Sequence, residues 1–324
     1  MCGIAGYISR GFDSTGEKAV KNMMNRMIHR GPDSFGQYSE GSVFFGHRRL
    51  AIIDVTSAGH QPMVVNDIAL TFNGEIYNFR ELREELEELG HEFVSRSDTE
   101  VLLKSYLAWG NACVQRFRGM FAFAIWDGHR KTLICARDPF GKKPLYYHFS
   151  SGKFIFASEP EALVSGLVRR PEISAPGVAC YLLKGYFPLG ETIYQTIQSV
   201  PPGTVMTWDL SEQGLEMWRY TELKFSLAGG KPEVGRKNLV GLCDRALESS
   251  IDRRLVSDVP IGTLLSGGVD SSLVTLIAAE QSGPPLQSFT VSFEQEEFDE
   301  TSYAVEVAKK KDINHHIVSQ KMAD

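Results

Sequence analysis

The chain has 324 residues, of which 43% are apolar and 23% charged, with a net charge of −6. That composition suits a soluble globular protein of about two domains, and the acidic balance argues against a nucleic-acid partner. The start lacks the cationic and apolar run of a secretory signal, and no apolar run approaches the roughly 20 residues that cross a bilayer. The five scattered cysteines have neither metal nor disulfide spacing, so a reducing cytoplasm is expected.

Cys2 follows Met1 directly. Removal of Met1 is expected because the Cys2 side chain is small, and it leaves a thiol and a free α-amine on adjacent atoms. Their reference pKa values, about 8.5 and about 7.7–8.0, let both exchange a proton near neutrality. Such a residue is a nucleophile with its own base, although the same two residues also suit an ordinary processed N-terminus ahead of a strand.

Strands are predicted at 3–9, 42–53, 68–72, 120–126, 131–137 and 154–158. The stretch 120–126 is apolar on both faces, so it should be covered on both sides. Ser14 with Glu17 predicts a capped helix bearing Val20, Met23, Met24, Met27 and Ile28. Phe79, Leu82, Leu86 and Leu89 mark a second helix closed by Gly90, and Ser97 with Glu100 caps a third. Sheets with helices outside predict a layered α+β domain over residues 2–210. Residues 211–235 carry the Gly-Gly-Lys-Pro signature of a linker. Beyond it, over 236–324, a helix through Leu239, Leu242, Cys243, Ala246, Ile251 and Leu255 leads into alternating strands and helices. The strands fall at 261–265, 288–293 and near His316, and the helices between them at 273–280 and 302–311. That order predicts a parallel α/β sheet.

Several polar residues admit two readings. Asn73-Gly74 is either a turn or a pair of donors, one side-chain amide and one backbone N–H, for an oxyanion. Arg49 is a surface arginine or a fork for a carboxylate. Asp98 is a first-turn carboxylate favoured by the helix dipole or, with Glu75, a partner for an ammonium group. The glycine-rich loop from Leu264 through Ser266, Gly267, Gly268, Asp270 and Ser271 to Ser272 joins a strand to a helix N-terminus, where backbone donors gather.

Seven stretches occur in order: Met1-Cys-Gly-Ile4, His29-Arg-Gly-Pro-Asp33, Gly46-His-Arg-Arg-Leu-Ala-Ile-Ile-Asp54, Phe72-Asn-Gly-Glu-Ile-Tyr-Asn78, Ser97-Asp-Thr-Glu100, Arg118-Gly-Met-Phe-Ala-Phe-Ala124 and Arg137-Asp-Pro-Phe-Gly141. With them, and over essentially its whole length, the chain resembles the glutamine-dependent asparagine synthetases. The resemblance implies an N-terminal-nucleophile amidotransferase domain, an αββα sandwich, followed by the start of an ATP-pyrophosphatase domain. Cys2 would attack glutamine, Asn73 and Gly74 would hold the oxyanion, Arg49 the α-carboxylate, and Glu75 with Asp98 the ammonium. His29, Arg30 and Asp33 would support that site. Ser266-Gly-Gly-Val-Asp-Ser271 matches the family's pyrophosphate loop, with backbone at Leu264 and Val291 framing adenine and Asp270 orienting Mg²⁺. ATP with Mg²⁺ is then a substrate, no tightly bound cofactor is expected, and aspartate is the acceptor in a possible homodimer.

In the family the synthetase domain runs on well past this loop, so the resemblance implies a truncated chain. Two alternatives accompany it: an amidotransferase acting on another carboxylate, associated with the cell envelope or exopolysaccharide, and a non-catalytic glutamine-binding regulator. A protected ammonia passage is expected; Met120, within an apolar strand, is either a residue that lines it or ordinary core packing.

Overall fold

Alternation along β1 (Gly3–Ser9) decides the architecture: Ile4 and Ile8 point into one apolar cluster, and Ala5 and Tyr7 into another. The structure, a computed structural model, describes every residue except 12, 189, 212–213, 223–235, 284, 294–298 and 321–324. Two units are present, Met1–Lys224 and Phe225–Asp324.

In the first unit β1 is followed by α1 (Gly16–Arg26), β2 (Ser34–Glu40), β3 (Val43–Arg49), β4 (Met63–Val65), β5 (Ile68–Ile76), α2 (Phe79–Glu88) and α3 (Asp98–Trp109). Then come β6 (Gly119–Asp127), β7 (Thr132–Arg137), β8 (Tyr146–Ser150), β9 (Lys153–Ala157), α4 (Pro160–Gly166), α5 (Ala175–Lys184), β10 (Gln198–Ser199), β11 (Thr204–Asp209) and β12 (Glu216–Arg219). One sheet has the order β10-β8-β9-β1-β3-β2 and the other β12-β11-β7-β6-β5-β4, with antiparallel pairing throughout.

The sheets face one another across Ile4, Ile8, Val43 and Phe45 on one side and Ala69, Ala122, Ala124, Trp126 and Trp208 on the other. Helices α1 and α4 cover the outer face of the first sheet through Val20, Met23, Met24 and Leu163, while α3 packs on β5 of the second. This is the expected αββα sandwich. Each fully buried large aliphatic or aromatic side chain in it contributes about 1.5–3 kcal/mol.

Local details depart from expectation. Ser14 caps nothing: Thr15 is the residue before α1, and the Asp13 carboxylate accepts its N–H instead. Leu89 is 59% exposed, because α2 ends at Glu88 and turns away before it. The strand expected over 42–53 ends at Arg49, where the chain leaves the sheet. Residues 216–219, assigned to the linker from sequence, form β12 and pair with β11; the rest of that stretch from 223 lies outside the described residues.

The second unit holds α6 (Arg236–Asp252), β13 (Gly262–Leu264), α7 (Val269–Gln281), β14 (Leu286–Phe293), α8 (Thr301–Ala308) and β15 (Ile313–Gln320). Its three strands are parallel in the order β13-β14-β15. Of the apolar stripe on α6 only Ile251 is buried, against Ala278 and Leu286, whereas Leu239 and Leu242 are exposed. Among the described residues no helix is long and apolar enough to cross a membrane.

Candidate active site

Parity along the strands assembles the site. Cys2 precedes β1 in phase with Ile4 and Ile8, so its side chain faces the gap between the sheets. Arg49, at the end of β3, shares its face with Val43, Phe45 and His47. Across the gap, Asn73 and Glu75 lie in phase with Ala69 and Thr71 on β5. Cys2, Arg49, Asn73, Gly74, Glu75 and Asp98 consequently line one pocket.

Asn73-Gly74 makes no turn. β5 runs on through Ile76 and pairs with β6 to its end, Gly74 opposite Phe121 and Glu75 opposite Met120, so sheet pairing overrides the local turn propensity. The Asn73 amide nitrogen is buried and unpartnered, in a residue only 1% exposed. A donor left so costs about 1–3 kcal/mol. Gly74 cannot carry a side chain, since a Cβ there would lie 2.3 Å from the Met120 carbonyl oxygen and 2.7 Å from the Phe121 Cα. Both are backbone atoms of the paired strand. Gly74→Ala is therefore expected to lower the unfolding free energy by about 3 kcal/mol, measured as a fall in the urea midpoint.

Arg49 is anchored before any ligand arrives: Nη1 donates to the Thr56 carbonyl at 3.0 Å, and Nη2 to those of Ile53 and Asp54. Gly59 makes room for it, because a Cβ there would sit 2.2 Å from Nη2. Asp98 is the first residue of α3, after Ser97, whose hydroxyl accepts the Glu100 N–H. Its carboxylate accepts the Ile76 N–H at 2.9 Å and is 5% exposed. Burial, reinforced by the negative Glu75 and opposed by the Ile76 bond, pushes its pKa up to about 7.

The Cys2 thiol donates to the Leu50 carbonyl at 3.5 Å and accepts the Leu50 N–H at 3.4 Å. Burial pushes this thiol up, and burial also lowers the amino terminus, which here belongs to Met1. Desolvation thus disfavours the thiolate of Cys2 and the ammonium of Met1. Arg30 donates from Nε to the Cys2 carbonyl at 2.9 Å and from Nη1 to Glu159, which also meets His29. Asp33 accepts the Ala51 N–H at 2.9 Å, and its own N–H bonds the Arg49 carbonyl. Arg30 and Asp33 hold the backbone around Cys2 and Arg49, and His29 pairs with the Glu159 carboxylate that Arg30 also meets.

Sequence reasoning missed Gln61, Thr99 and Lys143, which also line the pocket. Gln61 accepts the Phe72 N–H and donates to Thr99, tying β5 to α3. Lys143 had one available signal, its place just after the Arg137–Gly141 motif. Met120 is half-buried at the register position opposite Glu75.

In the second unit the glycine-rich loop joins β13 to α7, with Gly268 as the residue before the helix. Gly267 has φ +91°, and a Cβ there would meet Tyr303 at 2.8 Å. Ser266 and Ser271 hydroxyls lie 3.0 Å apart, Ser271 also accepts the Ser266 N–H, and Ser266 accepts the Gly268 N–H. Asp270 is exposed in the first turn of α7. Leu264 ends β13, 82% exposed, while β14 continues past it through Val291, so both stand at the carboxyl side of the sheet. Among the described residues no cluster of three or more His, Cys, Asp or Glu could hold a metal ion.

A family model described as glutamine amidotransferase domain matches residues 1–221, and one described as asparagine synthase matches 242–324. The chain is 36% identical to asparagine synthetase [glutamine-hydrolyzing] 3 of Bacillus subtilis (strain 168), over 91% of this chain and 48% of that protein. It is 35% identical to a putative asparagine synthetase [glutamine-hydrolyzing] 2 of Methanocaldococcus jannaschii, over 98% of this chain and 64% of that one. It thus spans about half to two-thirds of the length of these curated relatives. A solved structure of glutamine phosphoribosylpyrophosphate amidotransferase from B. subtilis, complexed with ADP and GMP, shares the fold at a TM-score of 0.51 and 16% identity, covering 99% of this chain and 81% of that one. The chain belongs to the glutamine amidotransferase domain family, and an asparagine synthase region follows that domain.

Proposed function

We propose that the first unit hydrolyses glutamine to glutamate and ammonia, and that the second belongs to a synthetase which passes the ammonia to an ATP-activated aspartate. The observation that carries the first half is the unpartnered Asn73 amide in the pocket that also holds the Cys2 thiol. Once Met1 is removed, the α-amine of Cys2 takes the thiol proton as sulfur attacks the glutamine amide carbon. The carbonyl oxygen becomes an oxyanion held by Asn73 Nδ2 and the Gly74 N–H. The amine then gives its proton to the departing ammonia, and water cleaves the thioester to release glutamate. Arg49 grips the α-carboxylate, and Asp98 with Glu75 the ammonium, matching each of the ligand's two charges with side chains of opposite sign. Met120 lies on the way out for ammonia.

For the second half, the support is the relatives' names and the loop's hydroxyl and backbone donors at a helix N-terminus. MgATP is its substrate: the loop holds the pyrophosphate, backbone at Leu264 and Val291 the adenine, and Asp270 meets Mg²⁺. Aspartate becomes an acyl-AMP with loss of pyrophosphate, and ammonia displaces AMP to give asparagine. All of this takes place in the cytoplasm.

The test is glutamate release by purified protein whose Met1 removal is confirmed by intact mass, repeated with aspartate and MgATP while pyrophosphate and asparagine are followed. Glutamate release supports the first half, and asparagine with pyrophosphate the second. No glutamate from correctly processed protein rejects the hydrolase and leaves a glutamine-binding protein.

Asp98 supplies a pH signature. With its pKa at about 7, it must shed a proton before pairing with the substrate ammonium. Glutamine KM is therefore expected to rise roughly tenfold per unit as pH falls below about 7. Asp98→Asn should flatten that dependence at a uniformly higher KM. The same raised pKa means that the empty site is favoured below the unfolded carboxylate range and loses that stability as pH rises through about 7. Asp98→Asn should accordingly stabilise ligand-free protein more at pH about 8 than at about 5, read by thermal unfolding.

A further inference from the structure

Lys143 is a charged side chain only 6% exposed, and it lines the Cys2 pocket. A lysine is almost never buried without a reason, because desolvating its ammonium is costly. The turn that presents it is fixed at both ends. Its N–H bonds the Asp138 carboxylate at 2.9 Å, and its carbonyl accepts Arg137 Nε at 2.8 Å. The same Asp138 carboxylate also accepts the Phe121, Phe140 and Lys142 N–H groups. Arg137 also donates to Gly141, Ser199 and Val200. Gly141 completes the turn at φ +63°, with Pro202 and the Arg137 guanidinium too close for a side chain. So much fixation of the seven residues from Arg137 to Lys143 is more than a surface connection requires, and its product is one ammonium-bearing side chain in the lining of the Cys2 pocket.

Lys143 lines the pocket together with Met1 and Cys2 ahead of β1, Glu75 on β5, Arg49 and Asp98, and the charges that act on it are those of Glu75, Cys2, Arg30 on the turn after α1 and Asp138 on its own turn. We infer that Lys143 is an electrostatic positioning residue for the Cys2 thiol–amine pair, its cation favouring sulfur's negative charge and keeping the neighbouring amine unprotonated. This rests on the glutaminase reading of the pocket. The two effects share a sign: both make the pair reactive at lower pH. Burial lowers the pKa of Lys143 itself, while Glu75 and Cys2 act to keep it charged.

The experiment compares wild type, Lys143→Met, Lys143→Gln and Lys143→Arg, each processed and checked for folding by circular dichroism. Iodoacetamide modification of Cys2, quantified on its own peptide, is followed against pH. Lys143→Met fills nearly the same volume without the cost of burying a charge, so it is expected to fold, and Lys143→Gln provides a second neutral variant. Loss of a neighbouring cation shifts a thiol upward by about one unit, so Cys2 should be modified roughly tenfold more slowly at neutral pH in both neutral variants. Lys143→Arg should stay near wild type. The acid limb of kcat/KM for glutamine should move upward in parallel, with KM changed less than about twofold. An unchanged alkylation midpoint in the neutral variants overturns the proposal. If wild type releases no glutamate, the glutaminase reading fails, yet the alkylation midpoints still decide the role of Lys143.

Discussion

Cys2→Ala is expected to abolish measurable glutamate release, a loss of at least about 10³-fold in kcat, because no other group can form the thioester. The remaining pocket would still bind glutamine through Arg49, Glu75 and Asp98, so a glutamine-dependent rise in Tm should persist in the variant. Stability itself should change by under about 1 kcal/mol, since Cys2 contributes only weak sulfur hydrogen bonds to Leu50. Retained activity would remove Cys2 from the mechanism and with it the N-terminal-nucleophile reading. The other free cysteines are poor substitutes: Cys113 and Cys135 are buried, and burial pushes the Cys113 thiol up to about 12. Cys180 and Cys243 are not among the pocket's lining residues.

Asn73→Ala is the second large effect. The buried amide nitrogen has no hydrogen-bond partner, and in the proposed reaction it meets an oxygen that arrives with the substrate and gains charge during attack. Loss of one such donor costs about 10²–10³ in kcat, with KM little altered, because the bond tightens only as the oxyanion forms. The folded protein should lose little. Burying an unpaired donor costs about 1–3 kcal/mol, which offsets the packing lost on truncation. A kcat fall of this size at an almost unchanged Tm would mark Asn73 as acting on the transition state. A fall in Tm with no change in kcat would show the amide to be structural and leave Gly74 as the sole oxyanion donor.

The layered α+β unit and the parallel unit were legible because their signals are local, whereas the αββα sandwich came from the family resemblance. Period-two alternation in β1 and the two-faced apolar run of β6 follow from side-chain direction alone. The site residues were legible as types: a thiol at a processed terminus, an amide beside a glycine, an arginine, two acids. Less was legible where pairing partners were distant. Asn73-Gly74 has the propensity of a turn, yet it lies within β5 because β6, more than 40 residues on, continues the ladder. The strand expected through residue 53 stops at Arg49, whose guanidinium is then held by carbonyls of the loop that follows.

Sequence by itself set the order of the parts, and with the family resemblance it singled out Cys2 as the candidate nucleophile and Arg49, Glu75 and Asp98 as candidate partners for a zwitterionic ligand, because these depend on residue chemistry and ordered motifs. Tertiary structure alone decided three further things. It brought Cys2, Asn73 and Asp98 to one pocket, left the Asn73 amide unpaired, and turned Arg137 and Asp138 into the frame that holds Lys143 there. The physical reason is separation. Cys2 and Lys143 lie on segments far apart in the chain, and neither the desolvation that moves their proton affinities nor the field between them exists until the two sheets close.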